Sequence, residues 1–539
     1  MTSFLKQHPF LFFLVPYTFL LAFLGLGDSA LQVDEAADTF VSRTILLSGL
    51  PSHTDGINVT MPFADVYNGL FVYRTWVPYY LQAGSLAIFG ETTFGARFPS
   101  ALTGCISVIA LYFFGAQLTG RKWVGFLAAF FLASSVPALV YFRAARYMAL
   151  PVLCTILLLH HYVKIFRPDR WRPIPFAAVA ILYFHSMYVE CAGTLAGLVL
   201  HILLHRKEIA PENLRGALRA GAGIALFTLP WIPVMWPVFK NISQYYIDAS
   251  GMVDPSPWGY GKRLGAYLFQ INNYIFPLLG FAALGLKALR PHKKTIHLLL
   301  LCLMTILVMA TLHLIPFQQN ITASYPLLFL LLALLVGEGL KKFPLGQALA
   351  VILLVTTNLL HVGPLYPIKA LLGGAAAEAE ESAYVQGAAR TFVREVNLKS
   401  VYLRYWKEIS HPYRGPLDAI VTVLQNNAQP GESCYIDNEP EAIAFYTGLK
   451  MIPADKLDPL APPEWLILRG DAWYPEDRPP PTRVALAIEK MLKSHSYRKI
   501  VLDAPVRRNN NSYDIQLHLF QSPDFSDKIR MYRRIENGT

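Results

Sequence analysis

The chain has 539 residues (60.4 kDa), is 54% hydrophobic and 15% charged, and has a mean hydropathy of +0.36. So apolar a composition excludes disorder over most of the length, and apolar runs near the bilayer-crossing length recur too often for one water-soluble domain, in which charged residues are usually about 25%. The net charge of +11 lies in residues 1–361, with 25 basic and 14 acidic side chains against 22 of each in residues 362–539; this excess sits in short loops between apolar runs and not on a nucleic-acid-binding module.

Hydropathy predicts eleven membrane spans, at about 9–27, 98–118, 123–141, 148–166, 173–189, 191–205, 217–236, 265–286, 296–315, 322–337 and 345–361. Lys and Arg concentrate in one set of loops, with 17 basic residues against the four acids Asp169, Glu208, Glu212 and Glu338. The alternate loops hold eight basic residues and ten acids. The N-terminus is therefore expected in the cytoplasm and the tail on the outer side, the periplasm of a bacterium with the chain in its inner membrane, or the lumen in a eukaryote. The first span carries only Lys6 ahead of a long apolar stretch and has a poor cleavage site around Gly25–Ala30, so it reads as a retained span.

The first outer loop, 28–97, is too long for a plain connector. It holds two half-apolar stretches, 35–48 (EAADTFVSRTILLS) and 78–89 (PYYLQAGSLAIF), expected as helices lying in the membrane interface. After the last span, 362–380 reads as a linker, its Ala-rich stretch 374–380 as linker or helix start, and 381–539 as a small α/β domain. Its β-rich runs are Cys434–Asp437, Trp465–Leu468, Lys499–Asp503 and Ile515–Phe520, and its helices fall at about 414–427, 439–447 and 482–494. No Gly-rich phosphate loop accompanies them. Cys105, Cys154, Cys191 and Cys302 lie in or beside apolar segments, and Cys434 stands alone in the tail. No Cys/His spacing suggests zinc, and nothing in the sequence supports a divalent metal.

The sharpest chemical signal is the pair Asp34 and Glu35, at the head of the first interfacial helix. Paired acids at a membrane surface lose water at a cost in free energy, which fits a reactive site. Acids at a helix N-terminus also complement its dipole, and spacing alone leaves both readings open. Arg143 and Arg146 (YFRAARYMALP) fall between the third and fourth spans, and Lys262 and Arg263 lie in an outer loop, 239–264. Outer-face cations beside spans run against the charge trend and suit either a phosphate or lipid headgroups. His185, Tyr188 and Glu190 (YFHSMYVECAG) lie at the outer end of the fifth span, where polar groups face inward or toward water. The loop NISQYYIDASGMVDPSPWGYGKR, rich in Tyr, Gly and Pro, has the composition of a substrate-gating loop.

An apolar span followed by "DE", a helix ending "SG", then "PYYLQAGSLAIFG" and "GARFPSALTG" resembles the GT-C membrane glycosyltransferases, and is similar to the protein O-mannosyltransferases and the lipid A aminoarabinose transferases. The likeness is good over about 10–150, looser to 361 and only architectural in the tail. It implies a GT-C transmembrane domain over 1–361 and a membrane enzyme using a polyprenyl-phosphate sugar at the outer face. The acceptor would be an unknown lipid, glycan or protein, attacking through a hydroxyl or phosphate oxygen.

The resemblance makes Asp34 the base of an inverting displacement and Glu35 its supporting neighbour. Arg143, Arg146, His185, Tyr188, Glu190, Lys262 and Arg263 would be candidates for binding donor and phosphate. The family often carries a second acid near the end of "YFRAARYMALP", where this chain has Tyr147 and Met148, so Asp34 would carry more of the chemistry. The alternative function is a lipid-linked glycan flippase or transporter. Such proteins usually show repeated halves and charges at the membrane midplane; neither is evident here.

Overall fold

The computed structural model describes residues 6–60, 67, 69–167, 171–250, 254, 256–278, 292–378, 390, 392–411, 415–469, 482–505, 515, 518, 520 and 528–535. Among these, six helices are long and apolar enough to cross a membrane: Thr93–Thr119, Ala149–Phe166, Tyr188–Glu208, Pro211–Gln244, Lys293–Ala310 and Gln318–Gly339. Two bent pairs raise the number to eight: Lys122–Ser134 with Val136–Phe142, bent by 67°, and Pro344–Thr356 with Leu359–Gly373, bent by 92°. Leu11–Phe23 and Pro173–Phe184 are apolar but shorter. The chain is an integral multi-pass membrane protein. The described helices do not reach the expected count of eleven. Where 265–286 was expected to span, the helix Pro257–Tyr274 is comparatively polar, and residues 279–291 lie outside the described residues.

Local chemistry explains the departures. The first bent pair breaks at Ser135, whose extended backbone and hydroxyl start a new helix, and Pro137 in its first turn brings no N–H to satisfy. The expected loop at 239–264 is largely helical in its described part, as Ile232–Ser250 and Pro257–Tyr274. Val238 and Ile242, one turn apart, are buried, and Ser256 caps the second helix ahead of Pro257.

The chain divides into two compact units that do not follow chain order. One comprises 1–24, 100–143 and 147–407. The other joins the first loop, 25–99, and residues 144–146 to the tail, 408–539. In the first unit, helices 188–205 and 293–310 approach closely at Gly193 and Gly197. A Cβ on Gly197 would stand 2.5 Å from the Cα of Cys302, so only glycine permits that crossing.

In the second unit the two amphipathic stretches are helices, α1 (Val33–Ser48) and α2 (Trp76–Phe89), and α3 (Thr93–Thr119) opens here before continuing into the first unit. The tail supplies α4 (Pro416–Asn427), α5 (Pro440–Thr447), α6 (Thr482–Ser494) and five strands: β1 (Ser433–Ile436), β2 (Lys450–Met451), β3 (Trp465–Leu468), β4 (Tyr497–Pro505) and β5 (Lys528–Arg534). The sheet order is β2-β1-β3-β5-β4, with β2, β1 and β3 parallel and β5 antiparallel to β3 and β4. The strand expected at Ile515–Phe520 is not found among the described residues of that run, where Ile515 lies in a turn; β5 takes the place in the sheet. Ala30, Leu31, Ala36, Leu86, Ala96 and Ala145 share one apolar core with Leu417, Ile420, Leu424, Phe445 and Trp465 of the tail.

Candidate active site

The start of α1 is a reciprocal capping box. The Gln32 side-chain oxygen accepts from the Asp34 N–H at 3.3 Å, and the Glu35 carboxylate accepts from the Gln32 N–H at 2.9 Å. Glu35 is 2% exposed. It receives a two-pronged pair from Arg97, Nε to Oε1 at 2.9 Å and Nη2 to Oε2 at 2.8 Å, and the Ala145 N–H donates to Oε1 at 2.7 Å. Arg97 also donates to the carbonyls of Leu26, Ser29 and Ala30. Glu35 thus ties together α1, the segment before it, α3 and the turn at Ala145.

Asp34 faces elsewhere. Its side chain is 23% exposed, with the Arg146 guanidinium at 2.7 Å and that of Arg74 at 3.8 Å. One helical turn on, on the same face, Asp38 is buried and is paired with both arginines: Arg74 in direct contact and Arg146 Nε at 3.3 Å. The Tyr79 hydroxyl donates to Asp38 at 3.1 Å. Burial first, and then the Asp38 charge, push the Tyr79 phenol well above its ordinary value, so it stays a proton donor in this pair. Gln82 on α2 locks the helices together, donating to Thr39 at 2.9 Å and accepting from Ser42 at 2.6 Å. The result is one carboxylate open to solvent and one buried, clamped by two guanidiniums that also reach the open one.

Of the residues expected from sequence, the structure brings Asp34, Glu35 and Arg146 together in the second unit. The others lie in the first unit, with their own partners. Arg143 donates to the carbonyls of Leu21 and Ala22, both at 3.1 Å. Arg263 is buried, donates to Thr311 O and Asp254 O, and stacks over Tyr260; Lys262 pairs with Asp254 at 3.5 Å. Glu190 is buried and accepts from the Thr322 hydroxyl and the Ala323 N–H. The Tyr188 hydroxyl accepts from the Trp231 indole at 2.5 Å, and the His185 ring meets Phe227 O at 3.2 Å.

Sequence reasoning missed Asp38, Arg74, Tyr79 and Arg97. The spacing of four between Asp34 and Asp38 on a predicted helix was the available signal for the first. Arg74 and Arg97 are brought in by tertiary packing. Among the described residues, no three His, Cys, Asp or Glu side chains gather as metal ligands.

A family model described as dolichyl-phosphate-mannose-protein mannosyltransferase matches residues 74–233, the stretch that holds Arg74, Arg97 and Arg146. A comparison with curated protein sequences gave no match. Among solved structures the chain resembles ArnT from Cupriavidus metallidurans in the apo state, at 13% identity over 98% of each chain with a TM-score of 0.58. It also resembles ArnT from the same organism bound to undecaprenyl phosphate, at 13% identity over 97% of each chain with a TM-score of 0.54. The chain therefore has the GT-C fold of membrane glycosyltransferases.

Proposed function

We propose that this chain transfers a sugar from a polyprenyl-phosphate donor to an acceptor hydroxyl or phosphate oxygen, at the periplasmic face of a bacterial inner membrane. The observation that carries the reading is the solvent-open Asp34 carboxylate set between Arg146 and Arg74 at the head of α1. In the reaction the acceptor oxygen attacks the anomeric carbon and its proton passes to Asp34. The bond from that carbon to the phosphate oxygen breaks, and the polyprenyl phosphate leaves with the electron pair. One displacement inverts the anomeric centre. Arg146 and Arg74 supply fixed positive charge for the departing phosphate without having to reorganise. The likeness to a chain solved with undecaprenyl phosphate supports a lipid phosphate as that leaving group.

Glu35 takes a holding role in this scheme, since Arg97, Gln32 and Ala145 occupy its oxygens. Arg143, His185, Tyr188, Glu190, Lys262 and Arg263 remain donor-binding candidates, to be tested one by one through undecaprenyl phosphate binding by their variants.

The test is Asp34→Asn in the full-length protein. Envelope lipids and glycans from a deletion strain, compared by mass spectrometry with the parent, identify the product that loses a sugar. The variant should restore that product at least about 100-fold less efficiently, in line with the 10²–10⁴-fold worth of a positioned base. Its affinity for undecaprenyl phosphate should stay within about twofold of wild type, because a carboxylate aimed at the acceptor proton adds little to ground-state phosphate binding. Unimpaired transfer by Asp34→Asn overturns the assignment.

A further inference from the structure

The nine residues from Leu24 to Gln32 deliver the chain to the helix that carries Asp34, and their backbone is held by side chains at several polar groups. Arg97 takes the carbonyls of Leu26, Ser29 and Ala30, and Glu35 takes the Gln32 N–H. Two further contacts come from the far end of the sequence. The Ala30 N–H donates to Asp418 Oδ1 at 2.9 Å, across 388 residues, and the Leu31 N–H donates to the Tyr446 hydroxyl at 2.9 Å, across 415.

Neither tail residue is a casual neighbour. Asp418 lies in the first turn of α4, and its second oxygen caps that helix by accepting from Gly415 N at 2.9 Å. Its position is thus fixed by its own helix. Tyr446 lies near the end of α5, and its hydroxyl also meets the Thr93 hydroxyl at 2.6 Å. Thr93 opens α3, which presents Arg97 one turn later. The phenol therefore bridges the segment leading into α1 and the helix that grips Glu35.

Packing reinforces both contacts. Leu31 is fully buried among apolar residues of the tail, and a Cβ on Gly25, where φ is +63°, would stand 2.9 Å from the carbonyl oxygen of Ile409. Farther along the loop, Asn58 acts as an extra rung beside β2, donating to Leu449 O at 3.0 Å and accepting from Met451 N at 2.7 Å.

We infer that the C-terminal domain is a working part of the active site, in which Asp418 and Tyr446 are positioning residues that set the seat of Asp34 through Ala30 and Leu31. This rests on the reading of Asp34 as the base. Only two residues, Gln32 and Val33, separate Leu31 from Asp34, and the capping box makes that interval rigid, so displacement of residue 31 is passed to the carboxylate. A displacement of about 1 Å in a catalytic group is enough to cost about 100-fold in rate.

The test uses the full-length protein with Tyr446→Phe, which keeps the ring in the core and deletes the hydroxyl. Hydrogen–deuterium exchange read by mass spectrometry over residues 26–36 should accelerate by about tenfold or more, and transfer to the product found in the deletion strain should fall about tenfold or more. Affinity for undecaprenyl phosphate should stay within about twofold. In an Asp34→Glu background, where the carboxylate is already displaced, adding Tyr446→Phe should cost less than about twofold, because two changes acting through one group do not multiply. Asp418→Asn is the second variant and should show the same exchange signature at Ala30 if Tyr446→Phe does not accumulate. Unchanged exchange over 26–36, unchanged transfer, or a loss that multiplies in full with Asp34→Glu overturns the inference. The base assignment is tested separately: it fails if Asp34→Asn still transfers, whatever Tyr446→Phe does.

Discussion

Glu35 and Asp34 are adjacent carboxylates with opposite prospects, and Glu35→Gln separates them. Glu35 is 2% exposed and accepts four hydrogen bonds, two of them from an arginine that is itself 5% exposed. Replacing it with the neutral isostere leaves a buried guanidinium without its counter-charge and turns an amide N–H₂ toward a donor. Removing one partner of a buried ion pair costs about 3–5 kcal/mol. Arg97 keeps the carbonyls of Leu26, Ser29 and Ala30, which places the cost at the lower end, about 3 kcal/mol. At about 2–4 °C per kcal/mol for a unit of this size, the thermal midpoint should fall by about 6–12 °C. The assay is thermal unfolding of the purified full-length protein in nanodiscs, followed by tryptophan fluorescence, since Trp465 lies fully buried in the same core. Asp34→Asn, at a partly exposed carboxylate, should melt within about 2 °C of wild type while losing transfer. If Glu35→Gln melts with the wild type and abolishes transfer, Glu35 is doing chemistry and the division of roles is wrong.

Two further predictions concern the scaffold. Gly197→Ala forces a methyl group against the backbone of Cys302 and should destabilise the first unit by about 1–3 kcal/mol, whereas Gly221→Ala, where a Cβ meets nothing within 4 Å, should be neutral or slightly stabilising; thermal midpoints of the two variants check this. Burial raises the Glu464 carboxyl, but hydrogen bonds from the Ser433 side chain and N–H, together with Arg534, outweigh it and hold the group below the usual carboxylate range. A depressed acid stabilises the fold above its unfolded value of 4.5 and loses that contribution as the pH falls through the folded value. Glu464→Gln should therefore flatten the fall of the thermal midpoint on acidification below about pH 4.5, and an unaltered pH profile contradicts the assignment.

Much of the architecture was legible because bilayers and helices impose simple periodicities. The amphipathic stretches at 35–48 and 78–89 became α1 and α2 within two residues at each end, and the helix expected at 482–494 is α6. Three of the four β-rich runs in the tail are strands. The strand Lys528–Arg534, which was not expected, shows the limit; of the run expected at Ile515–Phe520 only residues 515, 518 and 520 are described. KIRMYRR is mostly charged, and it is a strand because Ile529 and Met531 enter the core while Arg530 between them is exposed. At the site, the Asp-Glu pair was visible, but its two readings could not be separated. The structure divides the pair: Glu35 caps and holds, while Asp34 is left partly exposed.

The sequence by itself determined that the chain crosses a membrane repeatedly and that its first loop carries a carboxylate pair ahead of an α/β tail, because hydropathy and helix capping act over a few neighbouring residues. Only the tertiary structure decided which carboxylate is buried, that Arg74, Arg97 and Arg146 converge on the pair, and that the tail and first loop share one core. Those outcomes depend on groups up to about 400 positions apart meeting at about 3 Å, a distance set by packing that no local pattern encodes.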